Sequence, residues 1–300
     1  MTKVAVVGLN SFYRSGASTF MAHLAHGSDW DIVLFSPSGE HRENDIPLST
    51  PGLRAEHVRD LYSDILNDYD IVIFAAPRWA GGYEFLETVK VDKVGIIVHD
   101  RQDFERMGMY DLMGMFPKSE IFYMGRWKMP VGAMNIPLPF STELVPDMSM
   151  DRDIVFCPAR PTPSKHHDWL KGQIRRKFTT NGADVVFPEE GVVKSFGEMG
   201  EMYARSFAIV DVGDTASPYY GPFYTTLEAW HFGAVPIHDN NFDCTEVIPK
   251  VTCLEFSHES VELAIADDDL RGFIVDNGRF VLKYHEPDYV RKIIMEVLSL

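Results

Sequence analysis

Short, strongly apolar runs alternate with turn residues and helical stretches along this chain. In the first half they are Val4–Leu9, Asp31–Ser36, Ile71–Ala75, Val94–Val98 and Ile121–Met124. Such runs have no polar face to offer to water, so they predict strands covered on both sides by helices, the setting of a parallel sheet. The pattern then begins again with Asp153–Cys157, Asp184–Phe187, Phe207–Val212, Ala234–His238 and Val251–Phe256. Helices are predicted over Lys165–Thr179, Glu198–Arg205 and Thr225–Phe232, and Ser18 and Thr19 are expected to cap the helix that follows the first strand. The closing segment Pro287–Leu300 is amphipathic, with a proline suited to a first helical position. The two series predict an α/β protein of two Rossmann-like doubly wound domains, 1–148 and 149–300, with the break near Pro146–Arg152 and a final helix able to cross back. Sheets of this kind bind ligands beyond the carboxyl ends of their strands, so the two domains are expected to face a central cleft.

Composition narrows the class. With 300 residues, 45% hydrophobic and 24% charged, the chain can bury two cores and does not read as disordered. Its three cysteines, Cys157, Cys244 and Cys253, have no metal-binding spacing, and no apolar run reaches membrane-spanning length. A cytoplasmic monomer without membrane contact is therefore expected, in the host cytoplasm if the source is viral. The first strand runs out through Gly8-Leu9-Asn10-Ser11 and lacks the glycine fingerprint of dinucleotide enzymes, which argues against a nicotinamide oxidoreductase.

The formal net charge of -16 restricts the partners. Basic residues number 13 against 20 acidic in 1–150, and 15 against 24 in 151–300, so neither half offers a general grip on a phosphate backbone. Nucleic acid would have to use a local patch drawn from Arg78, Arg101, Arg106, Lys118, Arg126, Lys128, Lys171, Arg175, Arg176 and Lys177.

Candidate chemistry collects where strands end. Arg160 and Lys165 follow the first strand of the second half, where two cations could meet a charged leaving group. Asp100 and His99 close a strand of the first half; either could accept a hydroxyl proton, and Asp100 could equally cap a helix. In the second half, Thr225-Thr226-Leu227-Glu228 opens a helix that ends at Gly233 before a buried strand. Asp214 and the aromatic loop Pro218-Tyr219-Tyr220-Gly221-Pro222-Phe223 precede that helix. The segment Pro77-Arg78-Trp79-Ala80-Gly81-Gly82-Tyr83 could stack on a base or form a plain turn.

The run from Leu227 to Ile237, L-E-A-x-x-x-G-x-x-P-I, resembles the donor-site signature of GT-B glycosyltransferases, and the R-x4-K spacing of Arg160 and Lys165 resembles their phosphate-gripping pair. The order of Asn67-Asp68-Tyr69-Asp70, a strand, a Gly-Gly pair, a strand ending in Asp100, then Asp214 and Glu228 is similar to the DNA β-glucosyltransferases of T-even bacteriophages. The resemblance implies that Glu228 holds the ribose, that Arg160, Lys165, Thr225, Thr226 and the helix N-terminus face the diphosphate, that Asp214 and Tyr220 line the donor, and that Asp100 or His99 is the base. It further implies a UDP-sugar co-substrate, no obligatory cofactor though with room for a divalent metal such as Mg²⁺, and transfer to a hydroxymethylated pyrimidine, 5-hydroxymethylcytosine above all, in duplex phage DNA. Tyr220 stands where many retaining enzymes carry a second glutamate, which favours inversion. Thr225 stands where an arginine is expected, which leaves the sugar open. Two alternatives remain: a GT-B enzyme acting on a polysaccharide, glycolipid or protein, and a non-catalytic nucleotide-sugar or DNA-binding module.

Overall fold

A computed structural model of the chain describes residues 2–9, 16–35, 58–60, 64–77, 84–99, 107–124, 132–145, 148–158, 183–187, 196–211, 223–239 and 246–299. The chain forms two compact units: Met1–Leu144 with His285–Leu300, and Val145–Tyr284.

The first unit is built on a seven-stranded sheet in the order β3-β2-β1-β4-β5-β6-β7. Its strands are β1 (Val4–Leu9), β2 (Asp31–Phe35), β3 (Val58–Asp60), β4 (Ile71–Phe74), β5 (Lys93–Val98), β6 (Glu120–Tyr123) and β7 (Met134–Asn135). Every neighbouring pair is parallel, with Val6 facing Ile32 on one side and Ile73 on the other. All four residues of β4 are buried, as are five of the six in β5, which is why these strands read as unbroken apolar runs. The order reverses between β1 and β4, the switch point beside which doubly wound sheets take ligands.

Helices α1 (Gly16–Ala25) and α2 (Met107–Met115) belong to this unit. Because α1 starts at Gly16, Ser18 and Thr19 lie inside its first turn and are 0% and 2% exposed, so neither is the expected cap. The helix packs closely on β1: a Cβ at Gly8 would stand 1.9 Å from Met21 Sδ. The last helix of the chain also joins this unit, over Pro287–Ser299, and packs on α1, β5 and β6. Its Arg291, 9% exposed, donates to the carbonyls of Leu24 (2.5 Å) and His26 (2.9 Å) at the end of α1, where a cation meets the negative end of the helix dipole.

The second unit carries a five-stranded parallel sheet in the order β12-β11-β10-β8-β9. The strands are β8 (Ile154–Phe156), β9 (Asp184–Val186), β10 (Ser206–Asp211), β11 (Val235–His238) and β12 (Leu254–Glu255). The order reverses between β8 and β10. Among the described residues its helices are α3 (Phe196–Ala204), α4 (Tyr224–Phe232), α5 (His258–Ala266) and α6 (Asp268–Leu282), and the closing helix Pro287–Ser299 of the first unit is α7. The strand predicted over Val251–Phe256 shrinks to two residues because Thr252 turns the chain locally. Its hydroxyl donates to Glu246 O (2.8 Å), and its N–H to Ile248 O (2.9 Å). Two helices absent from the sequence reading, α5 and α6, start at side-chain caps. Ser257 Oγ accepts from the Ser260 N–H (3.0 Å) and Asp267 Oδ1 from the Leu270 N–H (2.9 Å).

Candidate functional site

In the second unit the site is organised by α4, which leaves the carboxyl end of β10 and returns into β11. Nine residues, Tyr224–Phe232, are helical, and Thr226–Trp230 and Phe232 are buried, so the helix is sunk into the unit. At the far end, Gly233 adopts a left-handed backbone (φ 77°) and the Ala234 N–H bonds to Ala229 O at 2.8 Å, closing the last turn. Three consecutive carbonyls there each receive a guanidinium. Arg279 donates to Trp230 O (3.1 Å) and His231 O (3.2 Å), and Arg152 to Phe232 O (2.8 Å). Burial, with the nearby Arg271 and Arg279, lowers the pKa of Arg152, the direction set by taking a cation out of water. Positive charge at this end complements the negative end of the helix dipole.

The head of α4 meets a buried polar cluster that the sequence did not disclose. Thr225 Oγ1 donates to the carboxylate of Asp211, the last residue of β10. Thr226 Oγ1 lies 3.2 Å from Nε2 of His238, the last residue of β11. Asp211 and His238 are partners in the β10/β11 register and are 6% and 4% exposed. Burial pushes the His238 pKa down, against the opposing pull of Asp211 and Asp239, so the ring is neutral at neutral pH. Cys157, just beyond β8, has its thiol pKa raised by burial and by the Asp211 charge, which makes it an inert neutral thiol. Glu228 sits one turn into the helix and is 2% exposed. A carboxylate this far from water needs polar partners, and the hydrogen bonds it makes are strengthened by the low dielectric around it.

Thr225, Thr226 and Glu228 therefore fall together, but the two hydroxyls point differently from the expectation. They are turned toward strand ends, and the Thr225 proton is committed to Asp211 and not available to an anion. Asp211 and His238 carried a faint signal in the sequence, each being a polar residue that ends an apolar strand. Asp100, Arg160, Lys165, Asp214 and Tyr220 lie outside the described residues, as do the helix predicted over Lys165–Thr179 and the loop from Arg78 to Tyr83. Of the cations proposed for a nucleic-acid patch, Lys118 is the one among the described residues, and it is exposed.

In the first unit, His99 follows β5 at the carboxyl edge of the sheet. Its Nε2 is 2.5 Å from Ala75 O, and since a carbonyl only accepts, Nε2 is the donor. Phe20 meets the ring edge-on at 5.1 Å. The arrangement ties the ends of β4 and β5 together and fixes the imidazole in one tautomer. Among the described residues no group of three or more His, Cys, Asp or Glu could hold a metal ion, and no helix is long and apolar enough to cross a membrane.

No protein-family model matches the sequence, and no curated protein matches it. Solved structures do match, over the whole chain. HepE of Anabaena in complex with UDP-glucose superposes with a TM-score of 0.65 at 12% identity, covering 98% of this chain and 99% of that one. The T4 phage β-glucosyltransferase in complex with its UDP-glucose substrate superposes with a TM-score of 0.56 at 12% identity, covering 100% of both. A β-glucosyltransferase described as a DNA-modifying enzyme superposes with a TM-score of 0.55 at 12% identity, again over both chains entire. The fold is thus that of the GT-B glycosyltransferases, two parallel-sheet α/β domains matched from end to end.

Proposed function

We propose that the chain is a glycosyltransferase that moves a sugar from a UDP-sugar to a hydroxymethylated pyrimidine, 5-hydroxymethylcytosine above all, in bacteriophage DNA, with inversion. The observation that carries this is the buried Glu228 at the head of α4, in a chain that matches UDP-glucose-bound structures over its full length. In this mechanism Glu228 accepts hydrogen bonds from the two ribose hydroxyls. The positive end of α4, with Arg160 and Lys165, takes the diphosphate, whose charge grows as the glycosidic bond breaks. Asp100 removes the proton from the acceptor hydroxyl while its oxygen attacks the anomeric carbon opposite the departing UDP. His99 Nδ1 is the second candidate for that proton. The DNA acceptor is supported by the full-length likeness to a β-glucosyltransferase described as DNA-modifying and to that of T4 phage, together with the matching order of residues along the chain. A base in a duplex must leave the stack to present its hydroxymethyl group, and the local cations would hold the backbone meanwhile.

A second acceptor class, a polysaccharide, glycolipid or protein, is favoured by the acidity of both halves and the net charge of -16. One experiment separates the two. The protein is incubated with a series of UDP-sugars and matched duplexes carrying hydroxymethylcytosine, hydroxymethyluracil or unmodified cytosine, and sugar addition is read by mass. Transfer to a hydroxymethylated duplex alone supports the DNA acceptor. UDP-sugar hydrolysis without transfer to any duplex moves the assignment to the second class.

A further inference from the structure

The helix that bears Glu228 starts without a cap of its own. Phe223 occupies the cap position in extended backbone (φ -84°, ψ 162°) and has no side-chain acceptor for the first N–H groups, a place where Ser, Thr, Asp or Asn is usual. Tertiary bonds hold this turn instead. Thr225 donates to the Asp211 carboxylate, and Thr226 lies against His238 Nε2 at 3.2 Å. Since Asp211 and His238 are register partners, two consecutive helical residues are pinned to the ends of two adjacent strands. Thr225 precedes Glu228 by three positions, so the two lie on one side of the helix a turn apart. Any tilt or slip of the first turn is passed directly to the Glu228 carboxylate.

We propose that Asp211, acting through Thr225, is a positioning residue that fixes the first turn of α4 and thereby the Glu228 carboxylate for the donor nucleotide, a role that rests on the donor site proposed above. Two properties suit a carboxylate to this work. Ionised, it can only accept, so the Thr225 proton has a single destination and the hydroxyl rotor is locked. Its charge also lies at the helix end where negative charge is favourable. A carboxylate 6% exposed needs hydrogen-bond partners, and the Thr225 hydroxyl is one of them.

The test measures UDP binding by calorimetry on the full chain, with thermal melting to follow folding and UDP-glucose hydrolysis to separate KM from kcat. Asp211→Ala and Thr225→Val should each weaken UDP about tenfold, the order of one charge-assisted hydrogen bond. The double variant should be no weaker than either single one, because both remove the same link. Thr225→Ser keeps the hydroxyl and should recover affinity to within about twofold of the unaltered protein. Hydrolysis should show the loss in KM for the donor, with kcat at saturation nearly kept. Should Thr225→Val not fold, Thr225→Ala against Thr225→Ser gives the same contrast. An unaltered protein that binds no UDP overturns the donor site and this inference together. Unaltered binding in Asp211→Ala and Thr225→Val, or losses that simply add in the double variant, overturn the positioning role alone.

Discussion

Replacing Gly278 by alanine should destabilise the second unit, although alanine is the better helix former. Gly278 lies within α6, facing α4, and a Cβ there would stand 2.2 Å from both Cγ and Cδ1 of Trp230 and 2.4 Å from its Nε1. Carbon atoms in contact keep about 3.5–4 Å, so the indole or the helix must retreat by more than an ångström. Trp230 is 0% exposed and its Nε1 donates to Thr252 O at 2.7 Å, so retreat both disturbs a full core and stretches a buried hydrogen bond. Overpacking costs about 1–3 kcal/mol and a lost buried hydrogen bond about 1–3 kcal/mol, while the gain in helix propensity is about 1 kcal/mol. The net is a loss of about 1–5 kcal/mol, which for a unit of this size lowers the melting temperature by about 3–20 °C. Gly272 gives the control within the same helix: a Cβ there meets nothing within 4 Å, so Gly272→Ala should raise stability by up to about 1 kcal/mol. Both variants are compared by thermal and urea unfolding. A Gly278→Ala protein as stable as Gly272→Ala would refute the close approach of α6 to Trp230.

Three further outcomes are expected. Glu228→Gln keeps shape but removes the charge that strengthens two ribose hydrogen bonds, so UDP affinity should fall by about 2 kcal/mol in calorimetry of a folded variant; equal affinity would separate Glu228 from the ribose. Asp100→Asn should lower turnover about 10²–10⁴-fold with donor binding intact; near-normal turnover, with a comparable fall in His99→Gln, would transfer the base to His99. The third concerns pH. Because burial lowers the folded-state pKa of His238 below its ordinary 6.5, the unfolded chain takes up this proton first on acidification. Stability from this group is therefore complete above pH 6.5 and is lost as pH falls from there toward the folded-state value. His26 shifts in the same direction, also through burial, so the slope should be shared between them. Melting temperatures from pH 7.5 to 5 should show His238→Asn with a shallower acid-side fall, and parallel curves would contradict the buried neutral imidazole.

Much of the architecture is determined by the sequence alone, because a strand buried on both faces must be apolar throughout. β1, β4, β5, β10 and β11 announce themselves in this way, and Gly233 marks the end of α4 through a backbone angle that glycine adopts without strain. The short strands β3 and β7 make no such demand and are invisible beforehand. The helices α5 and α6 carried readable caps at Ser257 and Asp267, yet their mixed faces do not stand out against an apolar strand pattern. Glu228 was legible through its place in a signature, whereas its support was not. Asp211 and His238 are 27 residues apart and become neighbours only when β10 and β11 pair in parallel register. Likewise, the direction of the Thr225 hydroxyl is settled by what lies across the strand end, and the need for glycine at 278 by an indole that arrives from another helix. Local sequence sets which backbone forms where, since propensity and burial pattern act over a few residues. Which side chains share a proton or a contact depends on packing between distant segments, and that was decided by the tertiary structure.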